Sequence, residues 1–134
     1  MTKLYFDGSC SSNPGPMGWA VIIVPDVDPP SMKSGGGVDG TSNQAEYQAL
    51  LLALDNVPEG EIAVLYTDSK LVYSQINGIW ETKDTVLDEL RRRAIAKMLS
   101  LNGCLSLEWM PRNTKRLKQA NDFAQKAAGV KNRH

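Results

Sequence analysis

Two short apolar segments that each lead into an aspartate constrain the fold of this chain more than any other feature. Residues 3–7 (KLYFD) and 61–67 (EIAVLYT) have the composition of strands, and Asp7 and Asp68 stand at their carboxyl ends. In open α/β sheets, ligands bind in the crevice beyond the carboxyl ends of the strands. If the two strands are parallel neighbours, both carboxylates point into one crevice, so the sequence predicts an acidic site there.

Hydrophobic periodicity predicts the element order βββαβααβα. The predicted strands are 3–7, 18–24, 31–40, 61–67 and 104–109. The predicted helices are 43–57, a short helix after Ser69 through residues 71–76, a longer helix from near Thr85, and a last helix from about Asn121 to Val130. Residues 25–30 (PDVDPP) should turn a hairpin, and the glycines at 35–37 should weaken or bulge the third strand. The expected fold is therefore α/β, a five-stranded mixed sheet flanked by helices, in a single domain spanning residues 1–134.

The longer helix has a recognisable start and an apolar stripe. Thr85 and Asp88 have the spacing of a capping box, in which the two side chains bond the exposed backbone amides of the first turn. Apolar residues then recur at helical spacing, at Val86, Leu90, Ala94 and Met98.

Glu46 is the third acid that stands out. On a helical wheel at ~100° per residue it lies among the apolar Leu50, Ala53 and Val57. A carboxylate on a buried stripe is costly unless it is paired or bound to a metal ion. The alternative is a half-exposed Glu in the first turn, where the helix dipole favours negative charge.

Three converging carboxylates repel one another, and a divalent cation relieves that repulsion. Mg²⁺ prefers oxygen ligands and keeps several waters, so a few carboxylates suit it. The chain has no Cys/His cluster for zinc, and its single histidine, His134, is the last residue. Catalysis by a histidine-based triad is thereby excluded in its usual form.

Composition narrows the function class only a little. The chain has 15 basic and 15 acidic residues and a net charge of zero, which can still hide a charged patch. No apolar run approaches the ~20 residues needed to span a bilayer, and the N-terminus lacks the long apolar segment of a secretory signal. Cys10 and Cys104 are the only cysteines, which favours a reduced, cytoplasmic protein.

Four segments together resemble the type 1 ribonucleases H, in that family's order and over nearly the whole chain. They are YFDGSCSSNPGPMGWAVII, TSNQAEYQALLLAL, LYTDSKLVYSQING and LEWMPRNTKRLKQANDFAQKAA. The resemblance implies an RNase H-like fold and endonucleolytic hydrolysis of the RNA strand of RNA/DNA hybrids. It also implies two Mg²⁺ ions, for which Mn²⁺ can substitute, and products with 5′-phosphate and 3′-hydroxyl ends.

The resemblance also implies the site residues. The family's four acids, which are both catalytic and metal-binding, match Asp7, Glu46, Asp68 and Asp122. Asp122 is matched through NDFAQKAA, similar to the family's A-D-x-L-A ending, although its place on the helical wheel also fits a solvated side chain. The residues expected to bind substrate are Gly8, Ser9, Cys10, Ser12, Asn13, Asn43, Gln44 and Arg112. Asn13 precedes Pro14 and is also a natural turn residue.

The chain departs from many members of the family in the loop before the last helix, and from the larger bacterial members in a basic insertion. The loop before the last helix has no histidine, and Arg112 either replaces it in product release, contacts a phosphate, or is solvated. The family's basic insertion is absent between Asp68 and Cys104. Its nearest replacement is Arg91, Arg92, Arg93 and Lys97, but three consecutive arginines point around a helix, which favours a solvated face.

Three alternatives remain at this point. The first is a nuclease of the same fold that acts on another duplex, and the second is a non-catalytic binding module, which would not need an acidic cluster. The third is a domain excised from a reverse transcriptase, against which Met1 favours a free-standing protein. We expect a monomer that binds RNA/DNA hybrid and no membrane.

Overall fold

The computed structural model describes residues 1–129 and contains one five-stranded sheet in the order β3-β2-β1-β4-β5. Strand β1 pairs antiparallel with β2 and parallel with β4, while β2–β3 is antiparallel and β4–β5 parallel. The predicted α/β fold and element order are confirmed. The elements are β1 (Thr2–Cys10), β2 (Gly15–Val24), β3 (Ser31–Gly40), α1 (Ser42–Asp55), β4 (Ile62–Thr67), α2 (Lys70–Ile76), α3 (Thr85–Ser100), β5 (Cys104–Trp109) and α4 (Lys115–Ala127).

Apolar residues cover both faces of the sheet. Successive side chains of a strand point to opposite faces, so Leu4 and Phe6 share the face that packs into the main core with α1 and α3. Helix α4 lies on the other face and contacts β1 and β2. Its buried residues are Leu117, Ala120 and Ala124. Asp7 is thus placed on a strand sandwiched between helices.

Two glycines let these helices approach the sheet closely. A Cβ atom at Gly8 would lie 2.2 Å from the backbone carbon of Ala45 in α1. A Cβ atom at Gly18 would lie 2.2 Å from the backbone oxygen of Ala124 in α4. Because real Cβ atoms do not come this close to backbone, any side chain at either position would push the helix away from the strand.

One predicted helix start and one predicted helix cap are wrong, although α3 does begin at Thr85 as predicted. Helix α4 begins at Lys115, six residues before the predicted start at Asn121; Thr114 makes no side-chain cap bond that would mark the boundary. Val130, the predicted end, lies outside the described residues. The Thr85–Asp88 capping box is also absent, because Asp84 caps α3 by accepting from the Leu87 amide at 3.0 Å.

The remaining local predictions divide between right and wrong. The β2–β3 register places residues 37 and 38 opposite Met17, with Gly37 at φ 95°, so the predicted bulge in the third strand is present. Val86, predicted on the apolar stripe of α3, is 50% exposed.

Within residues 1–129, no helix combines the length and apolar character needed to cross a membrane.

We expect Gly18→Ala to lower the free energy of unfolding by about 1–3 kcal/mol, since the added methyl group overpacks the contact between α4 and β2. Urea denaturation monitored by circular dichroism measures this change. Ser34→Ala in the exposed part of β3 is the control, with an effect within about 0.5 kcal/mol. Equal stability of the two variants would contradict the close-approach argument.

Candidate metal centre

The parallel pairing of β1 and β4 brings Asp7 and Asp68 together. Tyr5 pairs with Tyr66 in the register, and the two rings stack with centroids 4.9 Å apart. Asp7 lies two residues after Tyr5, and Asp68 lies two residues after Tyr66. Because side chains alternate between the faces of a sheet, both aspartates lie on the same face as the two tyrosines. The predicted crevice at the carboxyl ends of these strands is therefore present.

Glu46 reaches the same point from α1, on the opposite face of the sheet. Thr41 and Gln44 fix the start of this helix by a reciprocal capping box. Because Gly8 has no side chain, the helix lies against β1, and the Gly8 amide donates a hydrogen bond of 2.9 Å to Oε1 of Glu46. Glu46 is buried, as the helical wheel indicated.

These three carboxylates form a buried group that we call the acidic triad, defined by Asp7, Glu46 and Asp68. One carboxylate oxygen from each lies within 4.8 Å of the others. Only 1% of the Asp7 side chain and 6% of the Asp68 side chain are exposed. The Oδ1 atoms of both aspartates are buried and accept no hydrogen bond from residues 1–129.

The donor set of the acidic triad fits a divalent cation. Buried oxygens without partners are costly, and carboxylate oxygens are the ligands that Mg²⁺ prefers. The triad supplies such oxygens from three elements that the core holds in place.

Burial and mutual repulsion both disfavour the charged form of the triad. Burial, followed by repulsion from Asp68, raises the pKa of Asp7 from its ordinary value of 3.8 to about 7, although the Asn121 amide opposes the shift. Burial also raises the pKa of Glu46 well above its usual range, with added repulsion from Asp7 and Asp68. A cation bound among these groups would favour their ionised forms.

Arg112 lies at the open edge of the triad. Its Nε donates a hydrogen bond of 2.6 Å to Oδ2 of Asp68, and its terminal nitrogen is 4.0 Å from Oδ1 of Asp7. The Arg112 side chain is 60% exposed. The Arg112 guanidinium therefore contacts the acidic triad and is also open to solvent, so that a phosphate group could approach it.

Asp122 does not join the acidic triad. It is exposed on α4 and lines a cleft of about 330 Å³ with four other residues, Arg112, Asn113, Lys118 and Asn121. The residue on α4 that contacts the triad is Asn121, whose Nδ2 donates a hydrogen bond of 2.8 Å to Oδ2 of Asp7. Neighbouring helical residues point about 100° apart, so a difference of one position decides which side chain reaches Asp7.

A sequence signal for Asn121 existed. In A-N-D-F-A, Ala120 and Ala124 can be aligned with the two alanines of the family's A-D-x-L-A ending, which puts Asn121 at the acidic position. The burial of both alanines supports this alignment. Matching by residue type instead selected Asp122.

Three of the expected substrate-binding residues form an exposed rim, defined by Ser12, Asn13 and Asn43. The side-chain oxygen of Asn13 accepts a hydrogen bond of 3.1 Å from the Ser42 amide, which ties the loop to the start of α1. The Ser12 hydroxyl donates to the Pro14 carbonyl at 3.0 Å. Asn13 therefore does act as a turn residue, and substrate contact by this rim stays a prediction.

Other expected substrate-binding residues are engaged in local structure. The Gly8 amide is bonded to Glu46, and the Gln44 side chain accepts from the Thr41 amide in the capping box. Ser9 is paired with Gly18 in the β1–β2 ladder. The Cys10 thiol donates to the Gly40 carbonyl at 3.2 Å. These contacts give each residue a structural role, whereas a contact with substrate remains untested.

The run of arginines on α3 is partly satisfied within the helix. Arg91 and Arg92 both bond Asp88, at 2.8 Å each, and the Arg92 side chain is 74% exposed. Arg93 is exposed as well. Arg92 and Arg93 agree with the solvated face that the sequence favoured, whereas Arg91 is half-buried.

The fold and the acidic triad define an α/β protein with a centre suited to divalent cations at the carboxyl edge of its sheet. The family profile described as RNase H matches residues 1–132. The crystal structure of RNase H1 from Halobacterium salinarum superposes with a TM-score of 0.85 at 31% identity, covering 96% of this chain and 97% of that chain. The chain belongs to the RNase H family.

Two relatives illustrate how much of the chain is shared. It is 36% identical over 118 residues to ribonuclease HI of H. salinarum, covering 82% of this chain and 56% of the relative. It is 37% identical over 129 residues to the bifunctional protein Rv2228c of Mycobacterium tuberculosis, covering 91% of this chain and 35% of the relative. The chain spans about half the length of ribonucleases H from Neorickettsia sennetsu and H. salinarum, 49% and 56%.

In metal-free buffer we expect the wild-type protein to lose stability, relative to Asp7→Asn, as the pH rises from about 4 to about 7. Below pH 4 the Asp7 carboxyl is neutral in both states, and between the two values the unfolded chain releases its proton more readily than the folded one. Unfolding at pH 4 to 8 with a chelator present measures the difference. If the free energy of unfolding of wild type and of Asp7→Asn changed in parallel with pH, the raised pKa of Asp7 would be contradicted.

Proposed function

We propose that this protein is an endoribonuclease that hydrolyses the RNA strand of RNA/DNA hybrids, using divalent metal ions held at the acidic triad. The observation that carries the proposal is a buried group of three carboxylates, within 4.8 Å of one another, in a chain of the RNase H family. LC11-RNase H1, whose fold superposes with a TM-score of 0.85 at 24% identity, has been solved in complex with an RNA/DNA hybrid.

Asp7, Glu46 and Asp68 would hold the cations, with Mg²⁺ as the proposed ion and Mn²⁺ as a substitute. Two bound Mg²⁺ ions supply a reactive water and stabilise the leaving 3′ oxygen. Asp7 would be one of the residues that hold them, and its Oδ1 is buried and has no hydrogen-bond partner within residues 1–129. Glu46 would complete the site on the side of the RNA 2′-hydroxyl. The products would carry 5′-phosphate and 3′-hydroxyl ends.

Substrate selection would rest on the exposed rim, which Asn13 ties to the start of α1. Selectivity for RNA over DNA requires contact with the 2′-hydroxyl, and Ser12, Asn13 and Asn43 supply small polar groups at the start of α1. Because such groups suit phosphates and groove shape better than base edges, we expect binding with little sequence preference and strong salt dependence.

The proposal covers residues 1–134 as one RNase H domain that acts as a monomer. A reducing, cytoplasmic environment suits it, because Cys10 and Cys104 are both free thiols. Gel filtration with light scattering tests the monomer.

We expect Asp7→Asn to abolish cleavage of an RNA/DNA hybrid in Mg²⁺ and to melt no lower than wild type without metal, since it removes one of three repelling charges. Gel assays on RNA/DNA, RNA/RNA and DNA/DNA duplexes, with and without Mg²⁺, provide the measurement. Asp28→Asn, an exposed acid in the β2–β3 turn, is the control and should cleave like wild type. Cleavage by Asp7→Asn at more than a tenth of the wild-type rate would contradict the proposed metal centre. Faster cleavage of RNA/RNA or DNA/DNA by the wild-type protein would contradict the proposed substrate.

Arg112 is expected to assist release of the cleaved phosphate. It touches Asp68 and leaves most of its side chain exposed, so we expect Arg112→Ala to lower kcat about ten- to a hundredfold with KM little changed. Steady-state kinetics at fixed salt and saturating Mg²⁺ measures both constants, with exposed Lys115→Ala as the control. A raised KM at unchanged kcat would instead identify a residue that only grips a phosphate.

A further inference from the structure

Asn121 is the polar residue of α4 that contacts the acidic triad. Its Nδ2 donates a hydrogen bond of 2.8 Å to Oδ2 of Asp7, across 114 residues of sequence. The other oxygen of the same carboxylate, Oδ1, is buried and accepts no hydrogen bond from residues 1–129. The amide therefore occupies one oxygen of Asp7 and leaves the second for the shared space between the three acids.

The position of this amide is fixed by the packing of α4. The buried Ala120 and Ala124 flank Asn121, and α4 lies so close to β2 that a Cβ atom at Gly18 would meet the Ala124 carbonyl. A helix held by such contacts has little freedom to slide or rotate. The packing of the α4 backbone therefore places the Asn121 side chain within hydrogen-bond distance of Asp7.

An amide at this position differs in kind from a carboxylate. A carboxylate would add a fourth negative charge to the group and, when ionised, could not donate a hydrogen bond to Asp7. The amide of Asn121 is neutral and donates. The arrangement therefore lowers the repulsion that the metal-free protein must bear, at the cost of one potential anionic ligand.

We propose that Asn121 is a positioning residue that orients Asp7 for cation binding, so that the centre of this protein operates with three carboxylates and one amide. This proposal rests on the proposed metal-dependent function. Partners that orient a metal ligand typically change metal affinity 10- to 100-fold when they are removed. Asn121 would act through Asp7, and Asp122 would take no part.

Calorimetric titration with MnCl₂, without nucleic acid, tests the proposal on the full chain. We expect Asn121→Ala to weaken Mn²⁺ binding about 10- to 100-fold. Asp122→Asn, a loss of charge at the next, exposed position, is the matched control and should bind within about twofold of wild type. Wild-type affinity in Asn121→Ala, or a loss confined to Asp122→Asn, would overturn the proposal.

A second variant keeps the test decisive if Asn121→Ala folds poorly. Asn121→Asp adds a charge beside Asp7, so we expect a lower Tm than wild type in chelator and a larger rise in Tm on adding Mg²⁺. The same Mg²⁺-dependent shift as wild type would overturn the proposal.

Asp7→Asn separates this proposal from the function on which it rests. If Asp7→Asn binds Mn²⁺ as wild type does, the metal centre itself is wrong. If it loses binding while both Asn121 variants behave as wild type, the metal centre stands and the role of Asn121 is wrong.

Discussion

Repulsion among three buried carboxylates is the constraint on which the rest of this structure depends. Asp7 and Asp68 face one another because β1 and β4 are parallel neighbours in register, and Glu46 is added from the opposite face of the sheet. Charges held this close out of water are unfavourable unless something opposes them. In the metal-free chain that opposition comes from the Arg112 guanidinium, the Asn121 amide and the Gly8 amide.

The helices are packed so that these opposing groups can reach the triad. Gly8 admits α1 and Gly18 admits α4 to distances at which a Cβ atom could not fit. The first contact delivers Glu46 and the second delivers Asn121, one from each face of the sheet. The stability of the fold and the geometry of the metal centre therefore both depend on these two glycines. A side chain at Gly8 would displace α1 and Glu46, and a side chain at Gly18 would displace α4 and Asn121.

The sequence predicted the fold and the acidic triad because their signals are strong and local. Asp7 and Asp68 end apolar strands, and Glu46 interrupts an apolar helical stripe, so each is visible without knowledge of tertiary contacts. The element order and the mixed five-stranded sheet are confirmed, whereas the order of the strands within the sheet, β3-β2-β1-β4-β5, is known only from the structure. The strands β1 and β2 extend further than predicted, since Ser9 and Gly15 are turn-type residues that the sheet nevertheless pairs.

The sequence was less informative where the direction of a side chain depends on the residue at which a helix begins, or on a shift of one residue along the helix. Helix α4 begins at Lys115 without a side-chain cap, and Leu117 and Ala120 are the only apolar residues between Lys115 and Asn121, too few to mark the first turns of the helix. Asp84 and Thr85 are adjacent residues that both suit an N-cap, and only the backbone geometry selects Asp84. Asn121 and Asp122 are adjacent polar residues, and only the helical phase set by the packing of α4 shows that Asn121 contacts Asp7 while Asp122 is exposed.

The position and ligands of a bound cation test the account most directly. An anomalous difference map from a crystal soaked in MnCl₂ would show them without reference to activity. We expect a peak among the carboxylate oxygens of Asp7, Glu46 and Asp68, with Asn121 still bonded to Asp7 and Asp122 outside the coordination sphere. A peak that excludes Asp7, or one coordinated by Asp122, would contradict it.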